Sequence, residues 1–146
     1  MSEVIALDAS VIVSALLTWH EHHEFSRASV ETALKKGSVI LPIPALVESY
    51  AVMTRLPAPH RLSPANARAL LDENFAALTT VEGLTGRGCW AMLTRLAANG
   101  VAGGRTYDAQ ILAVAIECKA TTLLTLNVED FAALASSSIR IHSPLA

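Results

Sequence analysis

The chain has 146 residues, of which 52% are hydrophobic and 16% are charged, and its formal net charge is −2 at pH 7. These values predict a folded chain with enough apolar material for a core, and they exclude a disordered protein. The small negative charge excludes a global basic field for nucleic acid, although local arginines could still contact phosphate groups. The longest apolar runs are far below the roughly 18 residues that suggest a membrane span, and the first residues lack a signal-peptide pattern. We therefore expect a cytoplasmic protein.

Strand-like and helix-like segments alternate along the chain. The predicted strands are residues 4–7, 38–41, 79–82, 122–126 and 139–142. The predicted helices are residues 8–17, 20–36, 45–56, 64–78, 84–99, 106–119 and 128–134. No segment repeats and no linker separates parts of the chain, so we predict a single domain over residues 1–146. The alternation predicts an α/β fold, a three-layer α/β/α sandwich around a central parallel sheet of four to five strands.

Acidic residues interrupt otherwise apolar segments, in a chain that has only four aspartates. Asp8 ends the first predicted strand, and Glu48 lies inside an apolar helix. Asp108 and Asp130 each precede an apolar stretch. An ionised carboxylate is costly to remove from water unless a cation or hydrogen-bond donors compensate it. Ligands of parallel α/β sheets bind at the carboxyl ends of the strands, and all four acids are predicted to face that edge. The pattern therefore indicates a shared metal site.

Each acid also has a structural interpretation that needs no metal. Asp8 is a good helix N-cap, and Glu48 could be solvated on a helix surface. Asp108 would lie in the first turn of its helix, where a negative charge suits the helix dipole. Asp130 could belong to the start of a short helix that Asn127 caps. Each explanation serves for one residue, whereas the metal site accounts for all four.

The type of donor predicts the type of metal. Hard divalent cations take oxygen ligands and keep several water molecules, and the acidic set contains neither histidine nor cysteine. This favours Mg²⁺ or Mn²⁺ over zinc. Such a cation would polarise a phosphate group and activate a water molecule for hydrolysis. Without a cation, carboxylates this close together would repel each other, and some would take up protons.

Four short segments carry these acids in order. They are Leu-Asp-Ala-Ser-Val-Ile-Val at 7–13, Pro-Ala-Leu-Val-Glu at 44–48, Tyr-Asp-Ala-Gln-Ile at 107–111 and Leu-Thr-Leu-Asn-Val-Glu-Asp-Phe at 124–131. Together they resemble the PIN-domain ribonucleases, and in particular the VapC-type toxins of type II toxin–antitoxin pairs. The resemblance covers essentially the whole chain. It implies a Mg²⁺- or Mn²⁺-dependent endoribonuclease that cleaves RNA, forms a homodimer and is inhibited by a co-expressed VapB-type antitoxin.

The resemblance also assigns roles by position. Asp8, Glu48 and Asp108 match the three most regular acids of the family, so they are expected to be catalytic and to bind the metal. Asp130 is the expected fourth acid. Many members carry an aspartate where this chain has Asn127, so both residues are candidates for a direct or water-mediated contact with the metal.

Further residues around these positions have supporting roles in the prediction. Ser10 could position a water molecule or cap the first helix, and Thr125 belongs to the fourth segment. Arg105 stands beside the third acid and is a candidate for contact with RNA phosphate. Arg87 and Arg95 are also candidates, although solvated arginines on a helix face would look the same in sequence.

Two other functions remain open. A degenerate PIN domain could bind RNA or a protein without cleaving, and Asn127 is the residue that keeps this alternative alive. An aspartyl-phosphate phosphatase would also place an aspartate after its first strand, but Ser10 stands where that class has a second aspartate. The RNA target and the cleavage sequence are not predicted.

Several residues outside the acidic set also allow predictions. Cys89 and Cys118 match no metal spacing, so we expect two reduced and largely buried thiols. The segment His20–Glu24 is interpreted as a solvated helix start, and it could lie near the path of the RNA because it follows the helix begun by Asp8. Trp19 and Trp90 could stack on bases, but core or dimer packing is favoured. The helices at 45–56 and 65–78 are candidate dimer and antitoxin surfaces.

Overall fold

The computed structural model describes residues 3–136 and 138–146. Within these residues, strands and helices alternate as the sequence predicts. The strands are β1 (Glu3–Leu7), β2 (Gly37–Pro42), β3 (Thr80–Glu82), β4 (Thr122–Leu124) and β5 (Arg140–His142). The helices are α1 (Ala9–Leu16), α2 (His23–Lys36), α3 (Ile43–Thr54), α4 (Pro64–Leu71), α5 (Gly86–Ala98), α6 (Arg105–Glu117) and α7 (Val128–Ala132).

The five strands form one parallel sheet in the order β3-β2-β1-β4-β5. β1 is the central strand, and its residues Ile5, Ala6 and Leu7 are each at most 5% exposed. Successive residues of a strand point to opposite faces of the sheet, so both faces are covered at this strand. The predicted α/β fold with a central parallel sheet is therefore confirmed, with five strands.

Helix α2 passes directly into strand β2 without a loop. Gly37 occupies the junction and pairs with Glu3 of β1 in the sheet register. A Cβ atom at Gly37 would lie far inside contact distance of the Glu3 carbonyl oxygen. Only glycine therefore allows β2 to approach β1 this closely at the point where the helix ends.

Two helices differ from the prediction at their ends. α2 begins at His23 rather than at residue 20, because the preceding residues form turns in which the backbone N–H of His22 donates to Nδ1 of His20 (3.0 Å). The helix predicted over 64–78 is α-helical only to Leu71, and a π-helical turn continues it over Asp72–Ala76. That turn buries Phe75 while its flanking residues stay exposed.

Side chains expected in the interior are more accessible than predicted. Cys89 and Cys118 are free thiols, but both are half-buried, so the expectation of largely buried thiols is wrong. Trp19 and Trp90 are 47% and 74% exposed, so neither packs in the core, and packing in a dimer stays a prediction. Among the described residues, no helix combines the length and the apolar character needed to cross a bilayer.

The carboxyl ends of β1 and β4 lie side by side. The backbone N–H of Asp8 donates to the Leu124 carbonyl oxygen (3.0 Å), and the N–H of Thr125 donates to the His142 carbonyl oxygen (3.0 Å). β4 ends at Leu124, two residues before the predicted end. This edge of the sheet is where a parallel α/β fold presents a ligand site.

Candidate active site

An open cleft of about 500 Å³ lies at the carboxyl edge of the sheet. Three of the four predicted acids line it, namely Asp8, Glu48 and Asp108. They come from the end of β1, from α3 and from the first turn of α6. Residues separated by up to 100 positions in sequence are therefore brought to one cavity, as the strand-end argument predicts.

Asp8 is fixed by hydrogen bonds on both carboxylate oxygens. Oδ1 accepts from the backbone N–H of Ala9 (2.7 Å), and Oδ2 accepts from the hydroxyls of Ser10 (2.8 Å) and Thr125 (2.7 Å). The residue is only 3% exposed, so these three donors offset the cost of removing its charge from water. Asp8 is thus both the N-cap of α1, as one sequence interpretation predicted, and a wall of the cleft, while its role as a metal ligand stays a prediction.

The two hydroxyls that hold Asp8 are themselves held by the backbone. The N–H of Leu126 donates to Ser10 Oγ (3.0 Å), and the N–H of Asn127 donates to Thr125 Oγ1 (2.9 Å). Thr125 is fully buried. This network joins the start of α1 to the segment after β4, and it leaves Asp8 little freedom to turn.

Glu48 lies on α3 with its side chain exposed at the cleft. Partial burial of the carboxyl raises its pKa, and the negative charges of Asp8 and Asp108 raise it further. Arg55, one residue beyond α3, acts in the opposite direction. The helix buries Ala45, but the carboxyl of Glu48 reaches solvent, as the structural interpretation of this residue predicted.

Asp108 is half-buried at the start of α6. Burial raises its pKa first, and the charges of Asp8 and Asp130 add to the increase, while Arg105 opposes them. Asp108 and Glu48 therefore both face an excess of negative charge in the protein alone. A divalent cation between them would relieve that repulsion.

The side chains nevertheless do not form a closed coordination shell. Over residues 3–136 and 138–146, no three His, Cys, Asp or Glu side chains are placed so that they could hold one metal ion together. The donors that line the cleft are carboxylate, hydroxyl and amide oxygens. This set fits a hard cation such as Mg²⁺, which keeps several of its water molecules and often binds protein through only one or two carboxylates.

Asn127 and Asp130 occupy different positions relative to the cleft. Asn127 lines it and stands at the predicted N-cap position of α7, but its side chain makes no capping hydrogen bond to that helix. Its backbone N–H donates to Thr125 Oγ1 (2.9 Å). Asp130 is exposed on α7 outside the cleft lining, and it acts on the site through its effect on the pKa of Asp108.

The three arginines predicted to contact phosphate are all exposed. Arg105 precedes Asp108 by one helical turn and lowers its pKa, so it lies beside the acids. Arg95 and Arg105 share a groove of about 370 Å³ between α5 and α6. Arg87 belongs to the first turn of α5, and it lines neither this groove nor the cleft.

A group of aromatic side chains adjoins the acids. His20 and His22 line the cleft, so this segment lies beside the acids, and its place near the path of the RNA stays a prediction. His60 lies in the loop after α3 and stacks on Trp19, with 4.0 Å between the ring centroids. No local pattern in the sequence links His60 to a tryptophan 41 positions earlier.

Sequence comparison places this geometry in a known family. The sequence model of the PIN domain matches residues 5–136. Ribonuclease VapC40 from Mycobacterium tuberculosis is 43% identical over 114 residues, which make up 74% of this chain and 75% of that protein.

Structural comparison agrees with the sequence. Mycobacterium tuberculosis VapC20, described as a Sarcin-Ricin loop cleaving toxin, superposes with a TM-score of 0.72 at 17% identity, over 93% of this chain and 98% of its own. VapBC2 from Rickettsia felis, solved bound to a DNA fragment from its promoter, gives a TM-score of 0.68 at 16% identity. The superposition covers 96% of this chain and 98% of that chain. At these identities the superpositions establish a shared fold.

Proposed function

The chain belongs to the PIN-domain family, and on that premise we propose that it is a Mg²⁺- or Mn²⁺-dependent endoribonuclease that acts as the toxin of a toxin–antitoxin pair. The observation that carries the proposal is the meeting of Asp8, Glu48 and Asp108 in one cleft, where burial and the charges of the acids raise the pKa of Glu48 and of Asp108. The similarity to ribonuclease VapC40 over about three quarters of the chain supports the choice of RNA as substrate.

Each acid of the cleft would have its own role in binding the cation. Asp8 is immobilised by three donors and would provide a fixed ligand. Glu48 is exposed at the cleft and would provide a second carboxylate ligand. Asp108 would complete the carboxylate set, with Asn127 and Asp130 contributing directly or through water. The bound cation would supply polarisation of the scissile phosphate and a lowered pKa for a water molecule in the cleft.

Other side chains would position the RNA and the ligands. The hydroxyls of Ser10 and Thr125 hold Asp8 in one rotamer. Arg105 lies one turn from Asp108 and would pair with a phosphate of the RNA backbone, since its guanidinium fork matches phosphate oxygens. Arg95 would extend this contact along the shared groove, and Arg87 would act farther out on α5.

The proposed partners follow from the same membership. We propose a VapB-type antitoxin that inhibits the enzyme, a homodimer as the working form, and a cytoplasmic location. The superposition with VapBC2, a toxin–antitoxin complex, supports the antitoxin. Co-purification with the product of a neighbouring small open reading frame tests the antitoxin. The mass of the purified protein and of the complex in solution tests the homodimer.

Cleavage of RNA by the purified protein tests the central proposal. Structured RNA is incubated with protein and Mg²⁺, and Asp8→Ala and Asp108→Ala should abolish cleavage. Asp72→Ala is the matched control, because Asp72 is an exposed acid that pairs with Arg68 (3.5 Å) on the far end of α4. If both cleft variants cleave as well as the parent, the assignment is wrong. If the parent alone cleaves, mapping its cut sites across total cellular RNA would identify the target.

A non-catalytic RNA- or protein-binding module is the second candidate. It is favoured by Asn127, an amide in the cleft where many family members have an acid, and by the lack of a closed ligand set among the described residues. Calorimetric titration with Mn²⁺ separates the two. A catalytic site should bind Mn²⁺ and lose that binding in Glu48→Gln, whereas a degenerate site should show no binding to lose.

A further inference from the structure

Four aromatic rings form a continuous strip beside the acidic cleft. The ring of His60 stacks on Trp19 at a centroid distance of 4.0 Å and an interplanar angle of 26°. The ring centroids of Trp19 and His20 are 6.1 Å apart, and those of His20 and His22 are 5.7 Å apart. We call these four residues the aromatic strip. Its parts come from the turns before α2 and from the loop after α3, so the fold assembles it from two distant segments.

The aromatic strip runs into the catalytic edge. His20 and His22 line the same cleft as Asp8, Glu48 and Asp108, while Trp19 and His60 continue outward from it. Trp19 remains 47% exposed although one of its neighbours is stacked against it. An exposed aromatic surface next to the cleft is therefore open to a ligand.

The rings supply flat surfaces for a ligand. Burial and the nearby His22 lower the pKa of His20, which disfavours a positive charge on this imidazole. Glu21 lies 3.5 Å from Nε2 of His22. The faces of aromatic rings suit the π-faces of nucleobases, whereas a site for phosphate alone would need only cations.

We propose that the aromatic strip stacks on unpaired bases of the RNA beside the cleaved bond. The inference rests on the proposed ribonuclease function and adds to it a base-binding surface formed by these four residues. Bases inside a duplex already stack on one another and cannot be splayed onto protein rings without unpairing. Loops and single-stranded ends would therefore be the segments presented to the cleft.

Tryptophan fluorescence tests the contact without requiring cleavage. The chain has two tryptophans, so Trp90→Phe leaves Trp19 as the single reporter. An unpaired oligoribonucleotide should quench its emission. The same strand annealed to its complement, and an abasic oligomer of equal length that offers phosphates without bases, should quench little. Absence of quenching by the unpaired strand, or equal quenching by the abasic oligomer, would overturn the proposal.

Kinetics in the same Trp90→Phe background test the role in cleavage. Trp19→Ala and His60→Ala should raise KM for a loop-containing RNA by about 5- to 100-fold, the range expected when one stacked base is lost, with kcat changed much less. Trp19→Phe keeps a ring and should stay within about threefold of its background. Thermal melting of each variant shows whether it is folded, and the Trp19→Phe variant and the quenching experiment remain decisive if an alanine variant is not.

The experiments distinguish failure of the base-stacking proposal from failure of the proposed ribonuclease function. If the background protein cleaves RNA but Trp19→Ala leaves KM unchanged, the aromatic strip is not a base platform and the ribonuclease assignment stands. If the background protein cleaves no RNA while unpaired strands still quench Trp19, the strip binds bases and the catalytic assignment fails. Quenching therefore tests the binding of bases to the strip, and cleavage tests the ribonuclease function.

Discussion

The hydroxyl of Thr125 donates a 2.7 Å hydrogen bond to Oδ2 of Asp8, although 117 positions separate the two residues. Thr125 also accepts from the backbone N–H of Asn127 (2.9 Å), so one buried hydroxyl connects β1, β4 and the approach to α7. This contact fixes the rotamer of the most buried acid of the cleft before any metal is present.

Removing that hydroxyl should reduce both stability and activity. Thr125→Val keeps the shape of the side chain but leaves Asp8 with one donor fewer. Losing a buried hydrogen bond to a charged group costs about 1.5–3 kcal/mol, so the free energy of unfolding in urea should fall by that order. Thr125→Ser retains the hydroxyl and should lose much less. A Val variant as stable as the Ser variant would mean that the bond contributes nothing net.

Neutralising the cleft acids should stabilise the metal-free protein at neutral pH. The folded state raises the pKa of Glu48 and of Asp108, so it binds protons more tightly than the unfolded chain. This contribution is fully present below the ordinary carboxyl pKa, and it is lost as pH rises through the raised values. Glu48→Gln and Asp108→Asn should therefore raise the Tm of the metal-free protein at pH 7, with a smaller effect near pH 4.

The measurement is thermal melting in EDTA at both pH values. Asp72→Asn is the control, because Asp72 is exposed and lies outside the cleft. Equal changes of Tm at pH 7 and at pH 4 would contradict the repulsion that the structure indicates. Both cleft variants should at the same time lose Mg²⁺-dependent cleavage, so stability and activity should move in opposite directions.

Divalent cations should stabilise the folded protein through the same acids. A ligand that binds only the folded state at 100 times its Kd adds about 2.7 kcal/mol, so saturating Mg²⁺ or Mn²⁺ should raise the Tm and EDTA should reverse the increase. Asp8→Asn should remove most of this shift, because the amide keeps the approximate size of the carboxyl but not its charge. An increase of Tm that survives in Asp8→Asn would place the cation somewhere other than the cleft.

Gly37 allows a test of the sheet independent of the site. Gly37→Ala would press a methyl group against the Glu3 carbonyl oxygen, and such overpacking costs about 1–3 kcal/mol. Gly86→Ala is the matched control, since a Cβ there meets nothing within 4 Å at the start of α5. The control should be neutral or slightly stabilising, because alanine favours helix over glycine. Similar unfolding midpoints for the two variants would contradict the close approach of β1 and β2.

The sequence predicts the fold better than it predicts side-chain environments. Alternating buried strands and helices determine the parallel sheet, and the strand-end rule brings Asp8, Glu48 and Asp108 to one cleft. Exposure is less predictable because it depends on what packs against each face. Trp90 stands in a helix with apolar neighbours, yet it is 74% exposed.

Contacts between distant segments are the other part that local patterns do not reveal. The stacking of His60 on Trp19 depends on how the loop after α3 meets the turn before α2. The link from Thr125 to Asp8 depends on β4 lying beside β1 in the sheet. The motif around Thr125 marks the residue but not its partner, and nothing in the sequence around His60 marks a stacking partner, since such partners are selected by the tertiary arrangement.

The order of the strands along the chain determines when the cleft is completed during synthesis. Chains fold from the N-terminus as they leave the ribosome, so β1, β2 and β3 can associate while β4 is still being synthesised. Until Thr125 emerges, Asp8 lacks one of its three donors, and the wall that includes Asn127 is missing. A nascent chain thus lacks the complete cleft for most of its synthesis, so any activity that depends on the cleft can begin only when the chain is nearly finished.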